Sequence, residues 1–138
     1  MDFLQEFNRL MKDTPCVAVA TSVDNAPNVR MTNFYYDANK KGVIYFSTFK
    51  GSAKAKEFLL NNKVSFTTVP VGTHEHIRVN NGIVKESDLK LSELMEMYAT
   101  KYPGIEKIPQ GDMIGVYEIH FSEAEVTLGV TQRSKVTL

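Results

Sequence analysis

The sequence predicts an α+β, mostly β protein in which antiparallel strands form a small barrel and helices lie at its ends. The prediction rests on strand-like segments joined by short polar loops, on three stretches with helical spacing, and on a length of 138 residues. Parallel strands would need long crossover connections, so short loops favour antiparallel pairing. The length suits one domain, which we expect to span residues 1–138.

An amphipathic helix opens the chain. Apolar residues between Phe3 and Met11 fall on one helical stripe, Asp2 favours the positive end of the helix dipole, and Pro15 ends the helix. The run CVAVATS that follows, residues 16–22, is short and rich in Val and Ala. It therefore predicts a buried strand.

Two more strands and a short helix are predicted next. Residues 28–36 alternate with period two, and residues 43–48 form an apolar run after a polar loop. Consecutive antiparallel pairing would place Arg30 on a strand beside residues 45–48. A short helix follows over 52–60, and Ser52 is its expected N-cap.

The second half of the chain repeats this alternation of strands and a helix. The runs VSFTTV and EHIRVNNGIVKES are strand-like, and helical spacing returns from Leu91 to Tyr102. Within the longer run, Asn80–Gly82 is either a tight hairpin turn or a bulge inside one bent strand, and the sequence leaves both open. Two last strands are expected over 113–121 and 123–130.

Charge and hydropathy exclude several classes of protein. Sixteen basic residues balance sixteen acidic ones, so the chain lacks the positive excess typical of sequence-independent nucleic-acid binders. No apolar run approaches the roughly 18 residues that cross a bilayer, and the N-terminus lacks the pattern of a signal peptide. We therefore expect a cytoplasmic protein with neither a nucleic-acid nor a membrane partner.

The residue types that most often carry chemistry give no clear catalytic or metal signature. The single cysteine, Cys16, lies in an apolar run and is expected to be an inert core thiol. His74 and His76 share a strand face without a third ligand at useful spacing, and His120 is expected on a solvated face. We expect no metal site, and no side chain stands out as a general acid or base.

One segment does predict an anion site. In STFKGSAKAK the hydroxyls of Ser47 and Thr48 end a strand, and Ser52 and Lys54 begin a helix. A helix N-terminus presents unpaired N–H groups and a positive dipole end, and hydroxyls and an ammonium would complete a phosphate cradle. The alternative is an ordinary capped helix with its lysines in water.

Arg30 favours the cradle, because the expected pairing brings its guanidinium to the same anion. Thr32 and Asn33 interrupt a strand otherwise suited to burial, and buried polar groups need partners. A flat heterocycle with amide-like edges would supply them.

These segments, in this order, resemble a known family. VRMTNF at 29–34, GVIYFSTFKGSAKAKEFLLNN at 42–62 and HIRVNNGIVKES at 76–87 are similar to the FMN-binding split-barrel proteins related to pyridoxamine 5′-phosphate oxidase. The resemblance implies a six-stranded antiparallel split β-barrel with flanking helices. It also implies a homodimer that holds one FMN in each of two grooves between the subunits.

The resemblance assigns a role to most candidate residues. Basic residues and hydroxyls would bind the phosphate, one stretch of strand would run along the isoalloxazine ring, and one histidine would occupy a position where relatives often place glutamine facing the flavin. The basic residues are Arg30 and Lys54, and the hydroxyls are those of Thr48 and Ser52. The stretch along the ring is Met31, Thr32 and Asn33, and the histidine is His76.

Departures from the family pattern bear on activity. Ala53 stands where the oxidase pattern commonly has arginine, and the chain contains no tryptophan for the oxidase's C-terminal motif. The resemblance therefore implies an FMN-dependent oxidoreductase, reduced by NAD(P)H and acting on an unidentified small molecule, rather than a true pyridoxamine phosphate oxidase. The alternatives are a non-catalytic protein that stores or senses FMN, and a relative that binds haem or a deazaflavin.

Overall fold

The computed structural model describes residues 1–104 and 113–138. Within these residues, three helices accompany nine strands of one antiparallel sheet. The helices are α1 (Phe3–Asp13), α2 (Ala53–Leu60) and α3 (Leu91–Lys101). The strands are β1 (Cys16–Val23), β2 (Ala26–Asn33), β3 (Tyr35–Tyr36), β4 (Val43–Phe49), β5 (Lys63–Thr68), β6 (His76–Glu86), β7 (Ile114–His120), β8 (Glu123–Thr127) and β9 (Arg133–Thr137).

The predicted fold class is confirmed, with more strands than the six expected. The strands run in the order β2-β1-β5-β6-β7-β4-β3, and β8 pairs with both β6 and β9. The two ends of this order come close together, since β2 and β4 approach within 8 Å between Cα atoms without forming a ladder. The curled sheet is thus a split barrel, open between β2 and β4.

The core inside the curl is aromatic, and α1 contributes to it. The Asp2 carboxylate caps α1 by accepting from the Gln5 amide at 3.1 Å. Phe7 is fully buried and meets Tyr36 edge-on, with ring centroids 5.3 Å apart. A second cluster packs α3 on the outer face of β4 and β7, through Leu94, Tyr98 and their neighbours.

The strand predicted over 28–36 is interrupted at Phe34 by the side chain of Tyr102, the residue that follows α3. The Phe34 amide donates to the hydroxyl oxygen of Tyr102 at 3.0 Å, and this hydroxyl lies 2.7 Å from the Phe34 carbonyl. The main chain at Phe34 is therefore satisfied by a side chain instead of a neighbouring strand. The result is two strands, β2 and β3, and only β3 pairs with β4.

A two-residue turn joins β1 to β2. Val23 pairs with Ala26, and both Asp24 and Asn25 have positive φ, 51° and 64°. Left-handed conformations at both turn positions suit the twist of a tight hairpin, and Asp and Asn tolerate them better than most residues do. The register that follows pairs Val19 with Arg30 and Ala18 with Met31.

The Asn80–Gly82 question is resolved in favour of the bulge. β6 runs unbroken from His76 to Glu86, and its register against β5 shifts between Val64 and Phe66. Gly82 is buried at this point, where a Cβ atom would lie 2.8 Å from Ile119. The tight approach of β5 and β7 therefore selects glycine.

Candidate functional site

The first turn of α2 presents hydroxyl groups, as the sequence predicts. Ser52 is the N-cap, and its Oγ accepts from the Ala55 amide at 3.2 Å. The Thr48 hydroxyl, at the end of β4, lies 3.3 Å from Ser52 Oγ. Ala55 and Phe58 pack into the core and hold the helix in this position. The two hydroxyls thus lie together beside the positive end of the helix dipole.

Arg30 lies beside α2, but its guanidinium already has partners. Its Nη1 donates to Thr21 Oγ1 at 2.7 Å, and its Nη2 donates to Glu57 Oε2 at 2.8 Å. Only 19% of the Arg30 side chain is exposed. Arg30 therefore lies beside α2, but the expected pairing of its strand with residues 45–48 is wrong, because the strand beside β4 is β3 and Arg30 pairs with Val19 of β1.

Glu57 is the acidic centre of this group. Its Oε2 accepts from the hydroxyl of Thr21 as well as from Arg30, and its Oε1 accepts from Asn28 Nδ2 at 3.1 Å. These hydrogen bonds, from Thr21 first and then from Asn28 and Arg30, lower the pKa of Glu57 to about 2. The carboxylate is therefore ionised at neutral pH.

Lys54 is the half-buried cation of the site. Its Nζ lies 5.6 Å from the centre of the Phe46 ring, and it makes no ion pair or hydrogen bond to any residue of the described ranges. Burial lowers the pKa of Lys54, and the positive charge of nearby Arg30 lowers it further. An anion beside these two cations would relieve both effects.

Ser47 does not join this group through its side chain. Successive side chains of β4 alternate, so Ser47 shares a face with Tyr45 and pairs with Val116, on the α3 side of the sheet. Thr48 shares the opposite face with Phe46. The prediction that both hydroxyls join one cradle is therefore wrong for the Ser47 side chain, because adjacent residues of a strand face opposite sides.

The stretch Met31–Asn33 lies at the open edge of the sheet. Met31 is 60% exposed on the outer face, whereas Thr32 and Asn33 are partly buried. The Thr32 hydroxyl donates to the Asn33 carbonyl at 3.1 Å, and Asn33 Oδ1 lies 3.4 Å from Cys16 Sγ. Cys16 is partly exposed, so the prediction that it is a core thiol is wrong.

His76 lies away from Arg30 and Lys54 within one chain. It begins β6 and pairs with Thr127 of β8, so β1 and β5 separate it from β2. At about 4.8 Å for each strand, that is a separation of about 14 Å along the sheet. Its Nδ1 lies 2.9 Å from the His74 carbonyl oxygen.

The other histidine contacts are also local. His120 Nε2 lies 2.7 Å from Glu118 Oε1 on the outer face of β7. Across residues 1–104 and 113–138, no three His, Cys, Asp or Glu side chains come close enough to hold a metal ion.

Sequence reasoning missed Glu57, Thr21 and Asn28. A signal for Glu57 was available, because residues three apart on a helix share a side and Lys54 was already a candidate. A signal for Thr21 was its place on the buried face of β1 after Val17 and Val19. Neither signal identifies Arg30 as the common partner, because that depends on how α2 packs against β1 and β2.

Comparison with protein families identifies the chain. Residues 10–133 match the model of the family described as pyridoxamine 5′-phosphate oxidase-like. The chain belongs to this family. No curated protein matches the sequence of this pyridoxamine 5′-phosphate oxidase-like chain.

Solved structures share the fold of this pyridoxamine 5′-phosphate oxidase-like chain at low sequence identity. General stress protein 26 from Bacillus anthracis strain Sterne is 15% identical, with a TM-score of 0.76 and full coverage of both chains. A putative pyridoxamine 5′-phosphate oxidase from Listeria innocua is 12% identical, with a TM-score of 0.73 over 93% of this chain and 100% of that one. A haem-binding protein from Mycobacterium smegmatis is 10% identical, with a TM-score of 0.69 over 91% of this chain and 53% of that one.

None of the helices that the structure describes is long and apolar enough to cross a membrane.

Proposed function

We propose that this chain is an FMN-binding oxidoreductase. The observation that carries the proposal is the closeness of Arg30 to half-buried Lys54 at the capped start of α2, where Lys54 has no ion-pair partner among the described residues. Two neighbouring cations are costly unless an anion compensates them, and Glu57 compensates only one. Family membership of residues 10–133 supports the same assignment.

The groups around α2 fit a phosphate monoester. Lys54 would contribute a point charge, Arg30 its remaining N–H donors, and Thr48 and Ser52 their hydroxyls. The N–H groups of the first turn of α2 would add further donors. These are the donor types and the positive potential that the FMN phosphate requires.

The flavin ring would lie along the open edge of β2, beside Met31, Thr32 and Asn33. An edge strand presents main-chain donors and acceptors that no neighbouring strand uses. Bound FMN would supply hydride and electron transfer, while the protein would orient the ring and shape the substrate space. Ser47 would contribute only through its main chain.

We also propose that the active form is a homodimer with FMN between the subunits. The aromatic residues Tyr35, Tyr36, Phe46 and Phe49 do not form an apolar dimer surface, because Tyr36 and Phe46 are core residues and, of the four, only Phe49 is widely exposed. The outer face of β2 offers a better reason, since Val29 is 64% and Met31 60% exposed there. In such a dimer we expect a His76 to face the flavin, as the family resemblance implies.

The proposed reaction is reduction by NADH or NADPH followed by transfer to a small oxidant. Ala53 removes one phosphate-binding charge of the oxidase pattern, and the chain has no tryptophan. We therefore expect no true pyridoxamine phosphate oxidase activity. A cytoplasmic location remains part of the proposal.

The visible absorption spectrum of the purified protein tests the proposal most directly. FMN, haem and a deazaflavin have different spectra, and FMN added to stripped protein should be bound with quenching of its fluorescence. A Soret band would indicate that the bound cofactor is haem and not FMN. Bound FMN that neither nicotinamide reduces would favour a protein that stores or senses FMN.

A further inference from the structure

We propose that Glu57 is a positioning residue for the phosphate site, holding Arg30 in the orientation that binds the anion. The inference rests on the proposed function, because it concerns how the FMN phosphate is recognised. It gives a favourable role to an acidic side chain that lies where an anion should bind.

The hydrogen bonds of Arg30, Thr21 and Glu57 are connected to one another. Arg30 Nη1 donates to Thr21 Oγ1, Arg30 Nη2 donates to Glu57 Oε2, and the Thr21 hydroxyl donates to the same Oε2. The three side chains form a closed ring of hydrogen bonds that joins β1, β2 and α2. Such a ring fixes the plane of the guanidinium.

This ring leaves Arg30 able to bind an anion. A guanidinium has five N–H donors, and Glu57 takes only one of them instead of the two of a bidentate pair. Thr21 takes one more. Three donors have no partner among the described residues, so Glu57 orients Arg30 and leaves it able to donate to a phosphate.

Glu57 also lowers the repulsion between the two cations of the site. Arg30 and Lys54 are close enough for the charge of one to lower the pKa of the other. Glu57 follows Lys54 by three residues, on the same side of α2. Its ionised carboxylate reduces the repulsion between the cations and leaves the three groups with one net positive charge.

A purely electrostatic role for Glu57 predicts the opposite change in FMN affinity. If Glu57 acted only through its charge, it would repel the phosphate, and its neutralisation would strengthen binding. If it positions Arg30, neutralisation weakens binding although a repelling charge has been removed. The direction of the change therefore separates the two roles.

The test is the affinity of Glu57→Gln for FMN and for riboflavin, which lacks the phosphate, measured by flavin fluorescence. We expect FMN affinity to fall about tenfold, which is about 1.4 kcal/mol, and riboflavin affinity to stay unchanged. Asp24→Asn, which removes a charge from the exposed β1–β2 turn, is the matched control and should bind FMN as the unmodified protein does. Unchanged or tighter FMN binding by Glu57→Gln overturns the inference, and so does an equal loss for both ligands.

A second variant covers the case in which Glu57→Gln fails to fold. Thr21→Val removes the hydroxyl from the ring while keeping the shape and the strand preference of the side chain. We expect the same selective loss for FMN, and unchanged selectivity would overturn the inference. Failure of the unmodified protein to bind FMN would instead overturn the proposed function, and this inference with it.

Discussion

The ammonium group of Lys101 lies 3.5 Å from the centre of the Phe34 ring and donates to the Phe34 carbonyl at 3.2 Å. It also donates to the Met11 carbonyl at 3.2 Å. One side chain at the end of α3 thus binds the end of α1 and the break between β2 and β3. Burial is the main cause that lowers the pKa of Lys101, to about 8.

This pKa predicts that stability rises with pH above about 8. Between pH 8 and 10, Lys101 keeps its proton longer in the unfolded chain than in the folded one, so raising the pH favours the folded state. Above pH 10 the sign reverses, because burial raises the pKa of Tyr102 to about 12 and its proton is then held more tightly in the folded state. Urea unfolding at several pH values measures both effects.

Lys101→Met should reduce the rise between pH 8 and 10. Lys40→Met removes one exposed positive charge and serves as the control. An identical slope in Lys101→Met and the unmodified protein would contradict the prediction.

Lys54→Ala and Arg30→Ala should each weaken FMN binding by about tenfold or more, since each removes a cation from a partly desolvated site. Lys56→Ala should change little, because Lys56 is exposed. The two effective variants should differ in melting temperature. Arg30→Ala should lower the melting temperature, because it leaves Glu57 without its cation. Lys54 has no ion-pair or hydrogen-bond partner among the described residues, so Lys54→Ala should lower it less. Equal losses of affinity at all three positions would indicate general electrostatic attraction.

Val29→Asp should convert a dimer into monomers. It places a charge on the exposed apolar face of β2, where we propose that the partner packs. Val71→Asp is a matched control, because Val71 is 72% exposed in a loop outside the sheet. Light scattering should give the monomer mass for Val29→Asp alone. A monomer from the unmodified protein at micromolar concentration would contradict the proposed dimer.

Tyr102→Phe should lower the free energy of unfolding by about 1–3 kcal/mol. The Tyr102 hydroxyl accepts from the Phe34 amide and lies 2.7 Å from the carbonyls of both Pro15 and Phe34, so it can donate its one hydrogen to either of them. Tyr35→Phe is the control, since no described residue hydrogen-bonds the Tyr35 hydroxyl. Urea unfolding compares them, and equal stabilities would contradict this role.

NADH or NADPH should bleach the flavin absorbance of the FMN-loaded protein, and oxygen should restore it. Pyridoxamine phosphate should give negligible turnover, because Ala53 and the absence of tryptophan leave its phosphate without the oxidase's usual partners. Stopped-flow absorbance measures both reactions. Rapid oxidation of pyridoxamine phosphate would overturn the expected specificity.

Local patterns were enough to predict most helices and strands. The Ser52 cap, the stripe of α1 and the alternation of β2 depend on nearby residues, and all three are confirmed. The break at Phe34 was missed because its cause, Tyr102, lies 68 residues away in the chain. Strand β9 was missed because its residues, RSKVT, are mostly polar and lack a clear alternating pattern.

The sequence predicted which residues form the candidate site more accurately than it predicted which of them contact each other. The sequence points to Arg30, Lys54, Thr48 and Ser52 through charge and capping chemistry, and the structure brings Arg30 and Lys54 together. It gives no sign that Glu57 and Thr21 hold Arg30, because that contact joins three separate elements. Which face of β4 carries Ser47 could have been read from strand alternation.

The two-residue turn at Asp24–Asn25 sets which side chain of β2 reaches the inside of the barrel. Side chains alternate along a strand, so a shift of one residue would exchange the faces of Arg30 and Met31. An insertion in this turn would then aim a thioether at Glu57 and leave the guanidinium in water. The charge selectivity proposed for the site thus depends on a loop length, and a homologue with a longer turn could keep every candidate residue and still lose the phosphate.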